Sequence, residues 1–79
     1  MTKLSNMNAE LLEFEVKATS EICNKIIKNV DFPRSAIIGG VIRDGLGVIA
    51  LGDFKIQAGD RLVVCSLLQS IKGVEKLFR

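Results

Sequence analysis

Two runs of aliphatic and β-branched residues, AIIGGVIR (36–43) and VIAL (48–51), are parted by Asp44-Gly45-Leu46-Gly47. Asp44-Gly45 between such runs is a strong short-range hairpin signal, because both central residues of a type I′ turn need positive φ. A hairpin therefore sits in the middle of the chain, and the rest must pack around it. At 79 residues there is room for one domain. A chain this short buries a smaller share of its surface than a large one.

The same stretch also fits a dinucleotide fingerprint, G-x-G-x-x-G/A, through Gly45, Gly47 and Ala50. That fingerprint works only where a helix follows and points its free amides at a pyrophosphate. Here Val48, Ile49, Ala50 and Leu51 follow, β-forming and closed by Gly52. The glycines turn the chain and hold no nucleotide.

The rest divides by period. Residues 1–9 are polar and irregular, a linker or a start left by cloning, and residues 10–79 form the domain. Leu12, Phe14, Val16 and Ala18 alternate with Glu13, Glu15 and Lys17, as in a strand with one wet face. In TSEICNKIIKNV (19–30) the period changes. Ile22, Cys23, Ile26, Ile27 and Val30 fall on one helical stripe, with Thr19 or Ser20 as N-cap and Glu21 four residues before Lys25. Pro33 ends that helix. Gly52-Asp53 and Gly59-Asp60 mark corners on either side of FKIQ, a short bridge or strand. RLVVCSLL (61–68) is a further strand, and Leu68, Ile71, Val74, Leu77 and Phe78 recur at helical steps. The expected fold is α+β: a small mixed or antiparallel β-sheet with two helices, in the order βαβββα.

Composition excludes several kinds of function. Eleven basic and nine acidic residues give a net charge of +2, spread along the chain, which is no footprint for nucleic acid. There is no histidine, so neither a Ser-His-Asp nor a Cys-His pair can form within the chain, and two cysteines cannot complete a zinc site. No catalytic or metal-binding residue is assigned. Cys23 and Cys65 stand on apolar patterns and read as buried, reduced thiols of a cytoplasmic protein. Asp44, Asp53 and Asp60 sit at glycine corners, where carboxylates bond nearby backbone amides. Arg43 and Arg61 flank strands, where either could clamp an anion, but an ordinary surface or edge-strand role is favoured.

Apolar residues make up 48% of the chain. In the middle strands they point both ways, Ile38 and Ile42 to one face and Ile37 and Val41 to the other. Two helices cover one face only. Leaving several such side chains in water forfeits about 1.5–3 kcal/mol each. A homodimer is expected to cover the second face. Gly39-Gly40 inside a strand marks a bulge or a close approach by another chain.

EFEV, then SEICNKII, then FPRSAIIGGVIRDG, then GDFKIQAGDRLVV and a short helix together resemble the C-terminal domain of TrkA-type potassium-transport regulators, also called the RCK C-terminal domain. The resemblance spans about residues 10–79. Its most specific parts are Ile42-Arg43-Asp44-Gly45 and Ala58-Gly59-Asp60-Arg61-Leu62 at their mutual spacing. It implies a non-enzymatic, cytoplasmic regulatory domain that pairs with a second copy. An upstream Rossmann-type domain or a membrane potassium transporter subunit would be its partner, placing it at the inner membrane. It also implies a small ligand such as cyclic di-AMP in the dimer cleft, by Asp31, Phe32, Arg34 and Ile37; no other cofactor is implied. A purely structural assembly module, or an appendage of another ion or solute transporter, is the alternative.

Overall fold

The computed structural model describes residues 2–4 and 8–79. Its strands are β1 (Thr2–Leu4), β2 (Ala9–Glu15), β3 (Ala36–Arg43), β4 (Leu46–Val48) and β5 (Arg61–Leu67), and its one α-helix is α1 (Ile71–Leu77). All pairings are antiparallel, and the five strands lie in the order β1-β2-β5-β3-β4. The sheet is therefore antiparallel rather than mixed. Residues 2–4, read from sequence as irregular, pair with 9–11.

The hairpin forms where its turn chemistry places it. Arg43 pairs with Leu46, and Asp44 and Gly45 between them have φ of 53° and 78°. Strand β4 is shorter than VIAL implies, ending at Val48.

The expected first helix does not form. Residues 21–24 are turns and Ile27–Asn29 a single turn of 3₁₀ helix, so the order is βββββα rather than βαβββα. Local preference and tertiary pairing both explain this. Ile22, Ile26, Ile27 and Val30 are β-branched, and asparagine favours non-helical backbone. Asn24 adopts φ 67°. The segment instead pairs with the one before β5. Asn24 N–H donates to the Ile56 carbonyl at 2.8 Å, Ile56 N–H to Lys25, Ile27 N–H to Phe54 and Lys28 N–H to Gly52. FKIQ contributes the bridge, Lys55 opposite Ile26. The apolar stripe still does its work in this extended form. Ile22 is fully buried, and Cys23, Ile27 and Val30 pack against the core.

With no helix there, Glu21 and Lys25 are not a helical pair and Ser20 is not its N-cap. Ser20 is instead a buried tie. Its hydroxyl accepts the Lys17 N–H at 2.9 Å and donates to the Phe78 carbonyl at 3.0 Å.

Val16, Ile22, Ile56, Leu62, Val64, Val74 and Phe78 form the core on the inner face of the sheet. The paired segments 22–30 and 51–57 and helix α1 cover that face, where two helices were expected. Phe14 stacks on Phe78 with ring centroids 4.6 Å apart.

A β-bulge changes the expected facing of β3. Ile38 pairs with Val64 and Gly40 with Val63, so Gly39 is an extra residue. Ala36, Ile38 and Val41 therefore share the inner face with buried Leu62 and Val64. Ile37 and Ile42 share the outer face with Val63 and Cys65. The expected pairs, Ile38 with Ile42 and Ile37 with Val41, are exchanged by that single residue.

Candidate functional site

The outer face of the sheet is divided. At one end β2 presents Glu13 and Glu15 and β5 presents Arg61, whose guanidinium lies 3.5 Å from Glu13. This end borders a shallow groove lined by Glu15, Ile42, Asp44, Gly45, Gly59 and Arg61. At the other end Leu11, Val63, Cys65 and Leu67 are half-buried and Ile37 is 64% exposed, while half-buried Ile42 lies opposite Arg61 at the charged end.

Alternation carries the apolar surface past β4. Val48 pairs with inward Val41, and Ala50 packs against the core. Ile49 and Leu51 between and beyond them are 80% and 67% exposed. A second groove, lined by Phe14, Phe78, Glu75 and Arg79 among others, lies where β2 meets the end of α1.

The four residues expected near a ligand occupy one turn but not one role. Asp31 and Arg34 are exposed, while Phe32 turns inward and packs against the core. Ile37 begins the outer face, directly opposite Cys65. The turn is anchored twice. Ala36 N–H donates to the Pro33 carbonyl, and Leu67 N–H donates to Ser35 at 2.8 Å. It is also backed by α1, because a methyl at Gly73 would come within 3.3 Å of the Pro33 ring. The turn thus offers Asp31, Arg34 and Ile37 to solvent and turns half-buried Phe32 toward the core.

The cysteines are free thiols, half-buried rather than fully buried, with Cys23 against the core and Cys65 on the outer face. Among the described residues no cluster of acidic or thiol side chains is arranged to hold a metal ion.

The most connected polar group is one that single-residue reasoning rated as ordinary. Arg43 donates from Nε and Nη2 to the two carboxylate oxygens of Asp60, at 2.8 and 2.7 Å. Its Nη2 also donates to the Lys55 carbonyl, and the guanidinium lies 4.6 Å from the centre of the Phe54 ring. Asp60 in turn accepts the Gln57 N–H at 2.9 Å, the corner chemistry expected of it. The hydrogen bonds from Arg43, then that from Gln57, hold the Asp60 carboxyl below the usual carboxylate range, against the opposing effect of burial. Asp60 likewise raises Arg43 above its usual value. This clamp ties the hairpin to the 54–57 segment and leaves Arg43 no free fork for a ligand. The signal for it was the spacing of Ile42-Arg43-Asp44-Gly45 and Ala58-Gly59-Asp60, which the resemblance had singled out.

An antiparallel sheet covered on one side and terminated by a short helix, with the Arg43–Asp60 clamp across it, defines a small α+β module. Residues 11–79 match the family model of the TrkA-C domain, and the chain belongs to that family. It is 32% identical over 79 residues to the Trk system potassium uptake protein TrkA homolog 2 of Methanosarcina mazei, covering 100% of this chain and 18% of that one. It is 36% identical over 70 residues to the Trk system potassium uptake protein TrkA of Azorhizobium caulinodans, covering 89% of this chain and 15% of the relative. The chain thus spans less than a fifth of the curated relatives it matches. A solved structure described as an RCK domain with cda superposes with a TM-score of 0.71 at 25% identity, covering 85% of this chain and 96% of that one. Among the described residues no helix is long and apolar enough to cross a membrane.

Proposed function

We propose that this chain is a non-enzymatic regulatory domain of a Trk- or Ktr-type potassium uptake regulator, acting as a pair of copies. The carrying observation is the apolar end of the outer sheet face, with Ile37 open to solvent at its margin. A second copy placed there would remove those side chains from water. The Trk system names of the relatives support a role beside a transporter. In that role the domain lies in the cytoplasm, at the inner membrane through the transporter subunit or an upstream Rossmann-type domain.

The solved RCK domain with cda supports a small ligand for this chain, and the proposed pair places it in the cleft between copies. Asp31, Arg34 and Ile37 are the residues in reach of it, and cyclic di-AMP or another small nucleotide is the ligand class. A regulator works by binding its ligand better in one state than in another. A ligand wedged between copies would select one dimer geometry and pass it to the tethered transporter.

A second reading, assembly without sensing, draws on the same turn. Arg34 is its one cation and Phe32 is committed to the core, which is little for an anionic nucleotide. Calorimetry with cyclic di-AMP and adenine nucleotides separates the two. A specific heat that Arg34→Ala removes supports sensing. Silence with every nucleotide, in a chain that still self-associates, leaves an assembly module or an appendage of another ion or solute transporter.

A further inference from the structure

The layer that covers the inner face of the sheet has an outer side of its own, and its charges are sorted. Residues 22–33 run beside α1: Ile22 N–H donates to the Leu77 carbonyl at 3.2 Å, and Pro33 packs against Gly73. Along their middle they pair with residues 52–56. Lys25, Lys28 and Lys55 stand on these paired segments, all exposed. Helix α1 buries Val74 and Leu77, and at about 100° per residue Lys72 and Lys76 fall on its opposite side, in solvent. None of the five lysines has an ion-pair partner among the described residues. The acids of this layer lie at its borders. Glu21 and Asp31 flank the two ends of segment 22–30, Asp53 stands at a corner, and Glu75 lines the groove beside Phe14. Charges spread evenly along the sequence are thus collected by the fold. Ile26 gives the patch an apolar centre. It is half-buried, directly opposite Lys55, and alone of its stripe does not join the core.

We propose that this side of the covering layer docks on an anionic lipid surface, with the five lysines over the headgroups and Ile26 at the boundary beneath them. The inference rests on the position beside a membrane proposed above and assigns it to the chain's own residues. It leaves the outer sheet face, on the opposite side of the molecule, free for a second copy.

The chemistry favours lipid as the occupant. The negative surface potential of a leaflet attracts each lysine near it, without needing a particular geometry. A compact charge on a flexible stem can follow mobile headgroups, whereas fixed phosphate recognition calls for the planar fork of arginine, and all five cations here are lysines. Nucleic acid is also bound by stacking on aromatic rings, and no phenylalanine among the described residues is exposed. A soluble polyanion meets lysines but offers nothing to Ile26. A bilayer takes both, as it takes the apolar side of an interfacial helix ringed by lysine.

Co-sedimentation of the 79-residue chain with vesicles tests this, using phosphatidylcholine alone and phosphatidylcholine mixed with an equal part of phosphatidylglycerol. Binding should appear only with the anionic lipid. It should weaken about tenfold or more as salt is raised from about 0.1 M to about 0.5 M. Lys28→Glu with Lys55→Glu, and Lys72→Glu with Lys76→Glu, should each weaken it about tenfold or more, with circular dichroism unchanged. Arg61→Glu, on the outer sheet face, should change it by about twofold at most. Ile26→Ser should weaken vesicle binding several-fold and leave any retention on poly(U) RNA as it was. No binding to anionic vesicles overturns this docking, while a position held by the transporter subunit still stands, since the vesicles contain none. Binding that Arg61→Glu weakens as much as the lysine pairs do comes from net charge alone and overturns the assigned face. Poly(U) bound as tightly as the vesicles, with Ile26→Ser without effect on either, gives the face to a soluble polyanion and overturns the lipid.

Discussion

Arg43 and Asp60, seventeen residues apart, face each other through two parallel hydrogen bonds across the base of the hairpin, with the carboxylate only 2% exposed. The geometry is a fork on a carboxylate, which holds direction as well as charge. Arg43 remains partly in solvent, so the pair is neither a surface contact of little value nor a fully buried one. Asp60→Ala removes three charge-assisted or backbone hydrogen bonds and frees the 54–57 segment. The expected loss is about 2 kcal/mol, read as a lower urea midpoint with an unchanged slope. Arg43→Lys keeps the charge but gives up the fork and the stack on Phe54, and should lose stability too. Unchanged midpoints for both variants would mean the clamp contributes nothing net.

The same carboxylate sets a pH dependence. Its folded pKa is depressed, chiefly by the Arg43 hydrogen bonds. The unfolded chain then binds the proton more readily than the folded one. Asp60 therefore stabilises the fold fully above an ordinary aspartate pKa of about 3.9, and that contribution fades as pH falls through the lower folded value. Thermal midpoints measured from neutral pH to about pH 2.5 should show the gap between wild type and Asp60→Asn closing below about pH 4. A gap that stays constant over that range would assign the loss to packing and not to charge.

Where a conformation follows from local chemistry, the residues announced it. Asp44-Gly45 turned the hairpin because only positive φ closes it, the period of two marked β2, and a run apolar on both faces marked β5. The closing helix ran at three- and four-residue steps, though it begins only at Ile71 after a turn of 3₁₀ helix. Where the outcome depended on a distant segment, the pattern was ambiguous. The stripe Ile22, Cys23, Ile26, Ile27, Val30 marked the core-facing residues apart from Ile26 but not their conformation, because a partner at residues 52–56 offered its amides a better ladder than a helix of β-branched residues. The bulge at Gly39 was legible as a place but not in its effect, since one extra residue reverses every facing after it. Of the residues expected near a ligand, Ile37 is exposed on the outer face, whereas Phe32 packs against the core through neighbours far away in sequence.

Ser20 shows how a correct chemical signal can serve another structure. Its hydroxyl oxygen accepts a backbone amide, as a cap would, but the amide is Lys17's, and its proton goes to the carbonyl of Phe78. One small side chain so ties the turn after β2 to the end of α1. Ser20→Ala leaves two backbone groups without that partner at a buried position, for an expected cost of about 1–2 kcal/mol. Hydrogen exchange should show the loss concentrated in the last turn of α1 before global unfolding is affected. Protection lost evenly over the molecule would contradict a local tie.

Gly73 sits inside a seven-residue helix, where glycine costs about 1 kcal/mol relative to alanine. Pro33 supplies the reason. An added methyl would stand 3.3 Å from its ring, tighter than ordinary contact. Gly73→Ala alone should therefore gain less than the roughly 1 kcal/mol of helix propensity, as the Pro33 turn is pushed outward. Pro33→Ala makes room, so the double variant should recover more than the two single changes sum to, a coupling of about 0.5 kcal/mol or more. Because Pro33 lies between Phe32 and Arg34, that displacement should also alter any nucleotide heat that depends on Arg34, linking α1 to the turn. Strict additivity in chemical denaturation would show that helix and turn move independently.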